Sequence, residues 1–117
     1  MDEVTVGLWA RAFAGTLLWE GAVIQAMLPR GESRWAWAAA GLGVNLATHP
    51  ALWFLAPRFE PYALWLVVME GLVFSVEAWL LSRWCAARGA PLARTFAIRA
   101  SVWANAVSTC AGLAGWW

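Results

Sequence analysis

The sequence predicts an all-α fold: an integral membrane four-helix bundle with short loops and antiparallel neighbours. Three observations predict it. Apolar residues make up 62 % of the chain and charged residues 13 %, against roughly 45–50 % and about 25 % in soluble domains. That leaves too few charges to cover a water-facing surface. Four apolar stretches, each close to the ~20 residues a membrane helix needs, are separated by the breakers PRGES, PRFEP and RGAP. Eleven tryptophans complete the pattern, a residue enriched where an apolar ring meets a headgroup layer. The 117 residues are expected to form one transmembrane domain.

The first span is Val4–Leu28, ended by Pro29. It opens with Asp2 and Glu3 and is interrupted by Arg11 and Glu20. A cleaved signal has a basic start and a shorter apolar core, so this span is expected to stay as a helix. Glu20 shares a face with Thr16 and adjoins Gly21, which suits either the bundle interior or a second subunit. The second span is Trp35–Ala56, ended by Pro57; the third is Tyr62–Ser82; the fourth is Leu92–Trp116. Short loops make sequence neighbours antiparallel. No internal repeat, low-complexity tract or soluble domain is expected.

Arginine sets the direction, because cytoplasmic loops carry the excess of positive charge. Arg30, Arg34, Arg83, Arg88 and Arg94 flank the loops after spans one and three, and Arg58 lies in the loop between. Both termini are therefore expected outside a prokaryotic cytoplasmic membrane; Arg11 reduces the contrast. Trp35, Trp37, Trp53, Trp84, Trp116 and Trp117 fall near span ends, as an aromatic belt requires.

Residues 45–53, NLATHPALW, place an amide, a hydroxyl and an imidazole inside an apolar helix. Asn45, Thr48 and His49 are spaced i, i+3, i+4 and so share one face. Unpaired polar groups in hydrocarbon cost several kcal/mol, which turns this face into the bundle. Pro50 has no N–H for the carbonyl of Leu46, and a kink there would open a small cavity. Span three adds Glu70 and Glu77, seven apart on one stripe. Carboxylates at the bilayer centre cost ~2.5–3.5 kcal/mol each on insertion scales and most often mark ion, proton or substrate paths. Span four carries Ser101, Asn105, Ser108, Gly112 and Gly115 at alternating steps of four and three, a small-residue packing seam. Asn105 is its exception, an amide able to bond His49, Asn45 or a carboxylate.

Counting depth at ~1.5 Å per residue gives two polar layers. The outer layer holds Asn45, Thr48, His49, Glu70, Asn105 and Ser108; the inner layer holds Glu20 and Glu77. Arg99 matches the inner layer in depth but lies well round the helix from Asn105, so it either pairs with Glu20 or Glu77, snorkels to the headgroups, or meets another subunit. His49 with Glu70 is the sharpest pair, fit to pass a proton or to begin a divalent-cation site. One His and one carboxylate fall short of the three or four ligands a metal wants, and no cofactor is required.

A net charge of +1 gives no basic patch for nucleic acid. Cys85 and Cys110 have no metal-ligand or CxxC spacing and fall at opposite membrane faces. HExxH, GxSxG and Gly-rich phosphate loops are missing from the sequence. Ser101 or Ser108 with His49 is the one nucleophile–base pairing that can be drawn.

The set NLATHP, Glu-x6-Glu and Asn-x2-Ser resembles a pattern of small four-span membrane proteins of bacteria and archaea. The resemblance covers spans two to four. It implies a four-helix membrane fold and carries no activity with it. The expected function is cation or proton binding and translocation through a buried polar site. The alternatives are a non-catalytic accessory subunit of a larger membrane complex and an intramembrane enzyme acting on a lipid-like substrate. The expected partners are the lipid bilayer and, because four helices leave a narrow interior, a homo-oligomer or a membrane partner subunit.

Overall fold

The computed structural model describes residues 2–89 and 93–115. Leu92, Trp116 and Trp117, expected at a span start and in the aromatic belt, lie outside the described residues. The described chain is all-α, with four helices and no strand: α1 (Glu3–Met27), α2 (Arg34–Phe54), α3 (Tyr62–Ala87) and α4 (Ala93–Leu113).

Local chemistry sets the ends. Asp2 caps α1, its Oδ1 accepting from the Thr5 N–H at 2.6 Å, and Pro29 follows the last turn. Ser33 caps α2 by accepting from the Ala36 N–H at 3.2 Å, which supplies one of the orphan donors of a first turn. Helix α2 runs through Pro50 and ends at Phe54. Helix α3 starts after Pro61 and extends through Ala87 rather than ending at Ser82. SRWCAA contains no breaker, and the stop comes at Gly89, which takes φ +71°.

Each helix packs its backbone on its two neighbours in the ring α1–α2–α3–α4–α1, and the α2–α4 diagonal is bridged by side chains where Trp37 meets Phe96. The bundle measures 43 × 24 × 21 Å. Among the described residues α3 alone is both long and apolar enough to cross a membrane by itself. The sequence reading treats the four spans as equals; α1, α2 and α4 fall short because they carry much of the polar interior and more Ala and Gly.

An apolar cluster fills the end of the bundle beside the α1–α2 and α3–α4 loops. It comprises Ile24, Trp37, Leu81, Cys85, Ala97, Ala100 and Ala104, with Trp84 and Phe96 against it. Trp37 is 0 % exposed and meets Trp84 and Phe96 edge-on, at centroid distances of 4.9 and 5.0 Å. This corrects its expected place in an aromatic belt. Ring edges seek ring faces, and the Trp37 indole N–H reaches Glu32 Oε2 at 2.9 Å, so the polar tip is satisfied without a headgroup. Trp35, two residues earlier, is 86 % exposed. Glu32 also bridges Arg88 at 3.2 Å, tying the two loops together. The Trp37 indole first, and then Arg88, hold the Glu32 carboxyl below the usual carboxylate range. Cys85 is buried, Cys110 is exposed, and both are free.

Candidate functional site

The interior above this apolar end is polar, and its bonds fall into two matching sets. Glu20 on α1 is 3 % exposed. Its Oε2 accepts from Asn45 Nδ2 at 2.9 Å and its Oε1 from the Ser108 hydroxyl at 3.0 Å. Glu77 on α3 is likewise 3 % exposed. Its Oε2 accepts from Asn105 Nδ2 at 2.9 Å and its Oε1 from the Thr48 hydroxyl at 2.7 Å. Each amide also donates to a carbonyl one turn back, Asn45 to Gly41 at 3.0 Å and Asn105 to Ser101 at 2.9 Å.

The α1–α2 hairpin thus corresponds to the α3–α4 hairpin. Glu20 matches Glu77, Asn45 matches Asn105, and Thr48 matches Ser108, all buried. Ala12 and Ile24 match Met69 and Leu81, again all buried. Each glutamate takes its amide from its own hairpin and its hydroxyl from the other. Parallel repeats about an axis along the bundle are a known way to build a central site. No internal repeat was expected, because outside these few positions the halves share little sequence.

The expected two layers do not form as drawn. Side-chain length lets Glu20 and Glu77 reach the carboxamides, so Glu20, Asn45, Thr48, Glu77, Asn105 and Ser108 make one layer. Glu70 sits above it, with Oε2 accepting from the Thr109 hydroxyl at 2.9 Å. His49 is 8 % exposed; its Nε2 lies 3.4 Å from the Thr16 hydroxyl. Phe13 and Trp53 flank its ring at centroid distances of 5.2 and 6.3 Å. His49 Nδ1 is buried without a hydrogen-bond partner.

All three glutamates, both asparagines, His49, Thr16, Ser108 and Thr109 line a single cavity of about 70 Å³, room for a few waters by volume. A second cavity of about 150 Å³, lined by Arg58, Tyr62, Trp65 and Leu66, shares Leu52, Trp53 and Glu70 with it. Glu70 therefore stands between an outer vestibule and the inner cavity. Trp65 shapes the vestibule, donating to the Pro57 carbonyl at 2.8 Å beneath the Arg58 guanidinium.

Thus Asn45, Thr48, His49, Glu70, Glu77, Asn105, Ser108 and Glu20 converge. Arg99 does not. It is exposed, and the ion-pair reading with Glu20 or Glu77 is corrected: its helical angle turns it away from the interior. The His49–Glu70 pair is also corrected. The two share a cavity, but their bonds go to Thr16 and Thr109. Those two threonines were missed as site residues, although Thr16 precedes Glu20 by one turn and Thr109 adjoins Ser108.

Among the described residues no group of three His, Cys, Asp or Glu side chains is placed to hold a metal ion. His49 faces Thr16 and Ser108 donates to Glu20, so both are engaged otherwise than as base and nucleophile. No protein-family model, curated protein or solved structure matches this chain.

Proposed function

We propose that this chain is a small polytopic membrane protein that binds and translocates protons or small cations through its glutamate-lined interior, with both termini outside a prokaryotic cytoplasmic membrane. The surface supports the bilayer. Over residues 12–26, 38–54, 63–81 and 97–113 the exposed side chains are Ala, Gly, Leu, Val, Ile, Trp and Cys, apart from Ser75 and Arg99. Ser75 returns its hydroxyl to the Gly71 carbonyl at 2.7 Å. Val67 is 70 % exposed and Leu18 is 70 % exposed, while Glu20, Asn45 and Glu77 are each 3 % exposed. Large contiguous apolar surfaces mark membrane or partner contacts, and polar groups turned inward are what lipid demands of a bundle. The long axis also suits a bilayer of ~40–45 Å including headgroups.

One observation carries the functional reading: three glutamates line one cavity and no arginine is buried to balance them, all eight being exposed. An uncompensated buried charge costs several kcal/mol even after relaxation. A bound proton or cation removes that cost, and such intramembrane carboxyls mark its path. Glu70, between vestibule and cavity, is the first carboxyl reached from the α2–α3 loop. The apolar cluster around Trp37 fills the opposite end, and a cavity of about 170 Å³ between α1 and α2 runs from Glu20 and Asn45 down to Trp37 beside it, so on this reading Trp37 is the side chain that must move for passage at that end. Glu70→Gln, reconstituted in liposomes and folded, is expected to abolish proton or cation flux. Undiminished flux in that variant would reject the reading.

The accessory-subunit reading has one observation of its own. A shallow apolar groove of about 410 Å³ runs along α1 and α4, lined by Trp19, Trp103, Ala106, Val107, Cys110, Ala111 and Ala114. It expects stoichiometric co-purification with another membrane protein; a chain that stays alone in mild detergent counts against it.

A further inference from the structure

The same hydrogen bonds say which ion the site suits and where it rests. This inference rests on the proton-or-cation reading and narrows it. Each inner carboxyl has two kinds of partner. The amide Nδ2 of Asn45 or Asn105 can only donate, so the Oε2 atoms of Glu20 and Glu77 are fixed as acceptors. The hydroxyl at each Oε1 can donate or accept. It also has somewhere else to send its hydrogen: Thr48 Oγ1 lies 3.0 Å from the Val44 carbonyl, and Ser108 Oγ lies 3.2 Å from the Asn105 carbonyl. A hydroxyl has one hydrogen. When it turns to the backbone carbonyl, the contact to Oε1 is kept only if the carboxyl supplies the hydrogen. Both protonation states of each glutamate are therefore fully bonded.

A metal cation needs lone pairs converging on one point. Here amide N–H groups occupy the glutamate oxygens instead, and an arginine stands in the vestibule. We infer that Glu20 and Glu77 hold one proton each on Oε1, donated to Ser108 and Thr48 of the opposite hairpin, so that the site is a two-proton store that rejects metal cations. On release, the Oε1–H bond breaks and the proton passes to water in the inner cavity. The electron pair stays on the carboxylate, and the Thr48 or Ser108 hydrogen swings from its backbone carbonyl to Oε1. No oxidant, reductant or other reactant is involved.

The titratable groups facing the two carboxyls are each other, Glu70 from α3 and His49 from α2; α4 offers only neutral side chains there, its Arg99 being exposed. His49 supplies an independent sign of a ligand. It is more than nine-tenths buried, lines the cavity and keeps Nδ1 without a protein partner. A water or hydronium passing between Glu70 and the inner pair would meet it.

Infrared difference spectroscopy on the full chain in lipid nanodiscs tests this, stepping the pH and, separately, adding sodium, potassium or magnesium at fixed pH. The expected result is two protonated-carboxyl stretches, one lost in Glu20→Gln and the other in Glu77→Gln. Thr48→Val shifts only the Glu77 band and Ser108→Ala only the Glu20 band, while Thr48→Ser and Ser108→Thr leave them nearly in place and guard against misfolding. The three cations leave both bands unchanged. Bands that bleach on adding a cation, that are missing at every accessible pH, or that ignore Thr48→Val and Ser108→Ala would overturn the inference. Liposome flux separates the two levels. Intact bands without flux sink translocation and keep the store; flux without these bands sinks the store alone.

Discussion

Replacing Trp37 by alanine would open the closed end of the bundle, and Cys85 would report it. Both residues are 0 % exposed and belong to the same apolar cluster. Trp37 contributes its volume, two edge-on ring contacts and one hydrogen bond to Glu32. Core Trp→Ala changes cost ~3–5 kcal/mol, within which each aromatic pair is worth ~0.5–1.5 kcal/mol. At ~1.4 kcal/mol per tenfold, opening at this end should become on the order of 10²–10³-fold more frequent. The assay is maleimide labelling of Cys85 in liposomes, with Cys110→Ala removing the exposed thiol. When closing outpaces the reagent, the labelling rate follows the open population, so it should rise by that factor. Trp37→Phe keeps a ring but loses the N–H bond and should raise labelling by about tenfold or less, one hydrogen bond being worth ~1 kcal/mol. A folded Trp37→Ala protein that labels Cys85 at the parental rate would refute the claim that Trp37 closes this end.

Other outcomes follow from the same geometry. Asn105→Leu removes the donor to Glu77 Oε2 and should lower stability to detergent unfolding by ~1–2 kcal/mol, near the upper end of side-chain bonds measured within membranes; Asn45→Leu should do the same for Glu20, and the double variant should depart from additivity, because Ser108 links Glu20 to Asn105 and all four side chains line one cavity. Arg99→Gln should change stability by less than ~0.5 kcal/mol, as exposed substitutions do, and leave flux unaltered; a large loss would restore its rejected role as a counter-ion. Glu32, depressed below the usual range when folded, stabilises the protein above the ordinary carboxylate range and ceases to as pH falls through its folded value. Unfolding midpoints of the parent and Glu32→Gln should therefore differ at neutral pH and converge in acid; a gap that persists in acid contradicts the loop bridge. Thr109→Val should leave the fold intact and slow flux, since Glu70 loses its hydroxyl; unchanged flux would remove Thr109 from the path.

Helix positions and the inward polar faces were legible because both follow from spacing. Proline and glycine punctuate the chain, and Asn45, Thr48 and His49 repeat at helical intervals whichever neighbours they meet. Partner choice was not legible. Depth counted along helix axes separates Glu20 from Asn45, yet a glutamate side chain covers most of a turn's ~5.4 Å rise and meets the Asn45 carboxamide reaching towards it. Arg99 matched the inner carboxylates by its count along the helix, but its angle, already well round from Asn105 in the sequence, leaves it exposed. Trp37 looked like its neighbour Trp35; only packing against Trp84, Phe96 and Glu32 tells a buried ring from one at an interface. The match between hairpins rests on six polar positions, and a repeat that sparse is invisible until the helices are assembled.

The measurement that bears most directly on the whole account is a spin-label scan along α3, from Leu64 to Leu81, in reconstituted lipid. Accessibility to oxygen, which partitions into hydrocarbon, is compared with accessibility to a water-soluble nickel reagent. Labels at Val67, Val68, Leu72, Val76 and Trp79 should collide with oxygen and hardly with nickel, whereas Met69, Glu77 and Leu81 should be shielded from both. Strong nickel accessibility along the Val67–Trp79 face would mean that water, not lipid, covers it, and the bundle with its polar inside and apolar outside would not be a membrane protein.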